Sequence, residues 1–151
     1  MSVEIGSLAP EFELKNTAGE LVKLSEFRGK KVVLMFFPFA FTGTCTAELC
    51  AIRDNENEFI DADTVVVSIS CDSHYTLKNF QEQEHFKHLL LSDFWPHGEV
   101  SRKYGVFLEE RGMSSRGTFI IDREGIVRWT IVNSPANARS TADYKAQLAL
   151  L

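Results

Sequence analysis

Cysteine is scarce in this chain of 151 residues: there are three, with no Cys-x-x-Cys pair. The scarcity excludes a disulfide-stapled miniprotein, and the missing pair argues against a thioredoxin-type disulfide exchanger. Four histidines, His74, His85, His88 and His97, are scattered without His-x-x-x-His spacing, so no metal ligand set stands out. Only four prolines and nine glycines occur, with no Gly/Ser/Pro-rich linker, internal repeat or low-complexity tract. One domain over residues 1–151 is therefore expected. The longest apolar run, Val32 to Phe41, is about half a membrane span and contains Pro38, so no membrane partner is expected. Positive charge is in deficit: 16 Lys and Arg against 21 Asp and Glu leave −5, which argues against a nucleic-acid backbone binder. No basic stretch leads into an apolar core at the amino terminus, and no glycine-rich phosphate loop or Ser-His-Asp arrangement is visible. Three cysteines without a visible secretory signal fit a reducing, cytoplasmic setting.

What is present is ordinary for a globular protein: 44% hydrophobic and 25% charged residues, with twelve Phe. Disorder is excluded on that balance. Phe12-Glu13-Leu14 and Leu21 to Leu24 alternate with period two around the turn-rich Asn16 to Gly19, which predicts a short hairpin. Lys31 to Phe37 is a continuous β-branched and aromatic run, the pattern of a strand covered on both faces. From Gly43 to about Phe59 the period turns helical, with Cys45, Leu49, Ile52 and Phe59 on one stripe. Thr64 to Ser70 reads as a second buried strand, Ser73 to about Gln83 as a helix, Leu89 to Leu91 as a strand and Gly98 to Lys103 as a short helix. Gly117 to Ile121 and Ile126 to Trp129 flank the turn Asp122 to Gly125, and Thr141 to Leu150 closes the chain as a helix. The order predicts an α/β fold with a mixed central sheet flanked by helices. Periodicity alone leaves thioredoxin-like and flavodoxin-like versions open.

Pro38-Phe39-Ala40-Phe41-Thr42-Gly43-Thr44-Cys45 joins the first long strand to the first long helix. Thr42 suits the N-cap position, which puts Cys45 in the first turn, where free N–H groups and the helix dipole stabilise an anion. An ordinary thiol, with a pKa near ~8.5, is mostly protonated at neutral pH, and such a position with a nearby cation favours the thiolate. Position alone leaves two readings open, a reactive sulfur or a small buried hydrophobe. The threonine three residues earlier and the proline seven earlier favour chemistry, because packing requires neither.

Pro38-x-x-x-Thr42-x-x-Cys45 resembles the peroxiredoxin signature, with Glu48 fitting its extended form. Arg116-Gly-Thr-Phe-Ile-Ile-Asp122 is similar to the segment that supplies the arginine of peroxiredoxin active sites, and the order of elements matches over essentially the whole chain. The stretches Phe36 to Cys45 and Leu91 to Gly98 resemble the AhpE-like subfamily. The resemblance implies a thioredoxin fold and a thiol peroxidase that reduces hydrogen peroxide and organic hydroperoxides with no metal, haem or flavin. It implies Cys45 as nucleophile, Thr42 as a hydroxyl directed at sulfur and peroxide, and Arg116 as a cation favouring the thiolate and a donor to the peroxide. Backbone N–H groups of Thr44 and Cys45 would add donors, Pro38 would shield the sulfur, Glu48 would position an arginine, and Arg139 is a candidate second arginine. Phe39, Phe41, Phe94, Trp95 and Pro96 form an aromatic-rich group; Phe39 and Trp95 are candidates to rim the pocket, and some of the group to line a homodimer or higher homo-oligomer interface.

A sulfenic acid on Cys45 must be returned to thiol by a second cysteine or an outside thiol. Thr42-Gly-Thr-Cys45-Thr-Ala-Glu48-Leu-Cys50 resembles peroxiredoxins of the PrxQ, or bacterioferritin-comigratory, type, in which a resolving cysteine stands at that spacing. On an intact helix Cys50 would lie about 140° around and about 7.5 Å along from Cys45. That exceeds the disulfide limit of about 7 Å, so the first turns would have to unwind. Cys71, ending the strand before Asp72-Ser73, is the lesser candidate and suits a structural role. The reductant, whether thioredoxin, a glutaredoxin-like protein or a low-molecular-weight thiol, is left open. Two other functions remain in view: a peroxide-responsive sensor or holdase, and a cysteine-ligated metal-binding module built from Cys45, Cys50, Cys71 and His74.

Overall fold

The computed structural model describes residues 3–56 and 63–151. Nine strands occur in it: β1 Glu13–Asn16, β2 Leu21–Lys23, β3 Lys31–Phe36, β4 Thr64–Ser70, β5 Leu89–Ser92, β6 Phe107–Leu108, β7 Met113–Ser114, β8 Arg116–Ile121 and β9 Val127–Asn133. The α-helices that lie wholly within the described residues are α1 Gly43–Asp54, α2 His74–Glu84, α3 Glu99–Lys103 and α4 Thr141–Leu148, with a 3₁₀ turn at Leu24–Phe27. Seven strands form one sheet in the order β2-β1-β5-β4-β3-β8-β9, and β6 and β7 pair separately. The parallel pairs β3–β4 and β4–β5 make the centre, with Val33 opposite Val66 and Val67 opposite Leu89. Antiparallel pairing of β8 with β3 and with β9 completes one side, and β1 with β5 and β2 the other.

Alternation along β3 sorts the core. Val32, Leu34 and Phe36 face a cluster with Val67, Ile69, Phe119, Val100 and Tyr104, so α3 and the N-terminal segment cover that side. Val33 and Met35 face the opposite way, against Ile52 of α1 and Tyr144 and Leu148 of α4. A third cluster joins Cys45 and Leu49 of α1 to Leu77 and Phe80 of α2 through Phe37, Phe86 and Leu90. Both faces of β3 are thus buried, which is why its sequence is a continuous apolar run rather than an alternating one.

The expected strands and helices are present with small differences at their ends. Phe59, the last residue of the predicted α1 stripe, lies outside the described residues. β9 runs on to Asn133, four residues past the expected Trp129, and α4 ends at Leu148 rather than Leu150. Periodicity does not predict the β6–β7 pair, since two-residue strands are too short to show a period.

His88, just before β5, is enclosed in this core. Its Nε2 lies 3.0 Å from Ser68 Oγ, while Nδ1 has no hydrogen-bond partner among the described residues. Burial pushes the imidazole pKa down from 6.5 to about 4. The unfolded chain therefore takes up the proton first, and stability present above pH 6.5 is lost as the pH falls toward 4. At 1.36 kcal/mol per pKa unit the loss attributable to this residue approaches roughly 3 kcal/mol. Urea unfolding of wild type and His88→Gln between pH 7 and 4.5 should give a flatter pH dependence in the variant. Equal slopes would show that His88 is not the acid-sensitive group.

Candidate active site

The chain leaves β3 through Pro38-Phe39-Ala40-Phe41 before α1 begins. The backbone N–H of Ala40 donates to Asp72 Oδ2 at 2.8 Å, tying this loop to the turn after β4. Phe41 adopts a left-handed conformation (φ 68°), unfavourable for a bulky residue, and its ring packs on Phe80 with centroids 5.0 Å apart. Thr42 occupies the N-cap position with extended backbone (φ −82°, ψ 150°), and its carbonyl accepts the Thr46 N–H at 2.9 Å. The first N–H groups of α1, including those of Thr44 and Cys45, have no carbonyl within the helix to bond. Cys45 is fully buried in the first turn of α1.

One charged side chain reaches its sulfur and two more are linked to it. Arg116 Nη1 lies 3.2 Å from Cys45 Sγ and donates to Glu48 Oε1 at 2.7 Å. Its Nε donates to the carbonyl of Pro135 at 2.8 Å, so the guanidinium is fixed at two corners. Glu48, one turn after Cys45 on α1, also receives a two-pronged contact from Arg139: Nε to Oε2 at 2.9 Å and Nη2 to Oε1 at 2.8 Å. The Arg139 backbone N–H adds a bond to Oε2 at 2.7 Å. Arg139 Nη1 reaches the carbonyls of Phe36 (2.7 Å) and Gly117 (2.9 Å) and Thr118 Oγ1 (3.1 Å). Gly117 is required there: a β-carbon would stand 2.6 Å from Val106 Cγ1 and push β8 away.

Arg116, Arg139 and Glu48 are all nearly inaccessible to solvent, with side chains at most 3% exposed. Burial works against Glu48's charge, but hydrogen bonds from Arg139 and the charge of both arginines outweigh it and hold the carboxyl below its ordinary range. Two cations and one anion leave a single net positive charge beside the sulfur. Arg116 Nη2 makes no hydrogen bond among the described residues.

The structure thus brings together Cys45, Arg116, Glu48 and Arg139, with buried Pro38 and half-buried Phe39 in the loop before them. Thr42 departs from expectation. Its side chain is exposed, and the hydroxyl donates to the Phe39 carbonyl at 2.9 Å rather than to sulfur, because a free carbonyl of the same loop lies within reach. Trp95 also departs: it is 80% exposed and lines a separate cavity of about 500 Å³ with Leu21, His74, Tyr75 and Phe94. None of the residues around the sulfur shares that cavity. Pro135, Thr118 and Asp72 escaped sequence reasoning. Pro135 contributes only a main-chain carbonyl, which has no side-chain signature.

The other cysteines lie apart. Cys50 is half-buried on an unbroken α1, its thiol 3.6 Å from Glu84 Oε2, which also pairs with Arg53 at 3.4 Å. Burial raises the Cys50 thiol, and Glu84 adds to the rise against the opposing Arg53 charge. Cys71 is buried at the end of β4, where desolvation and the nearby Asp93 push its thiol up to about 11. No cluster of three or more His, Cys, Asp or Glu suited to a metal ion occurs among the described residues, and no described helix is long and apolar enough to cross a membrane.

Comparison with known proteins agrees with this geometry. Residues 5–130 match the AhpC/TSA family. Alkyl hydroperoxide reductase E of Mycobacterium tuberculosis is 43% identical over 150 residues, covering 99% of this chain and 98% of that protein. Peroxiredoxin Bcp of Bacillus subtilis is 37% identical over 131 residues, covering 83% and 82%. The crystal structure of reduced Plasmodium vivax 2-Cys peroxiredoxin superposes with a TM-score of 0.86 at 28% identity, covering 98% of this chain and 82% of that one. A sulfur at a helix start under a buried arginine, on this sheet and with these relatives, places the chain in the AhpC/TSA family of peroxiredoxins, the thiol-dependent peroxidases.

Proposed function

We propose that Cys45 is the peroxidatic nucleophile, acting on hydrogen peroxide and organic hydroperoxides within a single catalytic domain. The observation that carries this reading is the 3.2 Å approach of Arg116 Nη1 to a sulfur that is otherwise enclosed. In the reaction, the Cys45 thiolate attacks one peroxide oxygen in line with the O–O bond. The S–O bond forms as the O–O bond breaks, sulfur is oxidised to sulfenic acid, and the departing alkoxide or hydroxide takes a proton to give alcohol or water. The free Arg116 Nη2 donors and the open N–H groups at the start of α1 bind the two oxygens as negative charge moves from sulfur to the leaving group. Glu48 and Arg139 hold Arg116 in place, and Pro38 limits water at the sulfur.

For recycling we favour Cys50 as resolver: its thiol displaces water from the sulfenic acid to form a disulfide, which an outside thiol then reduces. Its spacing supports this, and its raised thiol next to Glu84 makes it a poor attacker until α1 unwinds. Direct reduction of the sulfenic acid by an outside thiol is the alternative. Intact mass after one equivalent of hydrogen peroxide separates the two. Wild type should lose the mass of two hydrogens and Cys50→Ser should gain one oxygen. A gain of one oxygen in both would assign resolution to the outside thiol.

We also propose a homodimer. Tyr75 (75% exposed), Trp95 (80%), Phe94 (51%) and Phe41 (46%) are large apolar side chains at the surface, and a second copy would cover them.

A further inference from the structure

Tyr144 of α4 is fully buried, its ring packed edge-on against Trp129 with centroids 6.0 Å apart and surrounded by Val33, Met35, Ile52 and Ile120. Phenylalanine would fill this space without the cost of enclosing a hydroxyl, so the oxygen calls for a polar role. It lies 2.7 Å from Thr118 Oγ1, which is itself buried and lies 3.1 Å from Arg139 Nη1.

Counting hydrogens sets the direction of these bonds. The Arg139 guanidinium donates and cannot accept, so Thr118 Oγ1 must turn a lone pair toward it. The single Thr118 hydroxyl hydrogen then points to Tyr144 Oη, the one acceptor within reach of it among the described residues. Arg139 Nη1 has two hydrogens for three acceptors, the carbonyls of Phe36 and Gly117 and this hydroxyl. Its other edge is locked on Glu48, whose Oε1 also takes Arg116 Nη1. Burial raises the Tyr144 phenol above its usual range, so the group stays protonated through neutral pH.

We propose that Tyr144 is a positioning residue for peroxide reduction: through Thr118 and Arg139 its hydroxyl holds the Glu48–Arg116 pair in register with the Cys45 sulfur. This rests on the reading of Cys45 as the peroxidatic nucleophile. Without the Tyr144 oxygen, the Thr118 hydroxyl loses its acceptor and is free to rotate out of the orientation that turns a lone pair to Arg139. Arg139 then loses an acceptor and can tilt on Glu48. The shift reaches Arg116, whose alignment with sulfur and peroxide sets the rate.

The test follows formation of the Cys45 sulfenic acid by quenched-flow intact mass in a Cys50→Ser background, with melting temperature measured alongside. The background protein should gain one oxygen rapidly. If it does not react at Cys45, the nucleophile assignment fails and the positioning role falls with it. Given that reaction, Tyr144→Phe should slow oxidation about tenfold, well short of the ~100-fold that a full ångström of misplacement can cost. Thr118→Val should slow it similarly, Thr118→Ser should restore the rate to within twofold, and Tyr144→Phe combined with Thr118→Val should be no slower than Thr118→Val. A wild-type rate in Tyr144→Phe overturns the proposal. So do additive effects in the double variant, or slowing by Thr118→Ser equal to that by Thr118→Val. If Tyr144→Phe fails to fold, the Thr118→Ser and Thr118→Val pair decides the outcome.

Discussion

Cys45→Ser should abolish peroxide reduction, with turnover in a thiol-coupled assay falling to the background of the uncatalysed reaction. The substitution leaves the scaffold nearly unchanged, since the side chain keeps its size and the Arg116–Glu48–Arg139 network stands on its own bonds. What it removes is the polarisable sulfur, because a hydroxyl has neither the nucleophilicity nor the acidity of a thiol. The two remaining cysteines cannot take over. Cys71 is buried with its thiol pushed up to about 11, and the Cys50 thiol is raised by burial and occupied with Glu84. Activity of Cys45→Ser above a tenth of wild type would show that the reacting sulfur has been wrongly assigned.

Arg116→Ala carries the second-largest expected effect. Arg116 is the cation within hydrogen-bonding reach of the sulfur, through Nη1, and its Nη2 makes no hydrogen bond among the described residues. Loss of one such donor in comparable oxyanion sites costs ~2.7–4 kcal/mol of transition-state stabilisation, about 10²–10³ in rate. Glu48 keeps the two-pronged contact of Arg139, so no buried carboxylate is left unpaired and the fold should persist. Arg116→Lys should not rescue the rate. A single ammonium cannot reach the sulfur, Glu48 Oε1 and the Pro135 carbonyl at once, as the planar guanidinium does. The measurement is the second-order rate of Cys45 oxidation, with circular dichroism to confirm folding. A rate within threefold of wild type for Arg116→Ala would refute the proposed role of the guanidinium.

Glu48 shows how far the linear order of residues carries. Its spacing from Cys45 places both on one face of α1, so an acidic group one turn from the sulfur is legible in the sequence. That it binds two arginines at once depends on where β8 begins and where the segment before α4 returns to the sheet. Arg139 stands 91 positions from Glu48 in the chain, and its role is set by acceptors on β3, β8 and α1. Thr42 illustrates the opposite case. The sequence supplies a hydroxyl at a helix start, but local geometry gives it the Phe39 carbonyl as acceptor. Trp95 likewise stands beside Phe94 in an aromatic-rich stretch, yet the fold puts it on an exposed face away from the sulfur.

The sequence by itself determined the run of strands and helices, the position of Cys45 at a strand-to-helix junction, and the family through Pro38, Thr42, Cys45 and the Arg116 segment. These are readable because periodicity, capping and short-range spacing act within a few residues of one another. Tertiary structure alone decided that Glu48 is shared by two arginines, that Thr118 and Tyr144 back Arg139, and that a Pro135 carbonyl fixes Arg116. Each of those contacts joins elements far apart in the chain. The last runs through a main-chain carbonyl, a group that is the same at every position and acquires meaning only when the fold sets its direction.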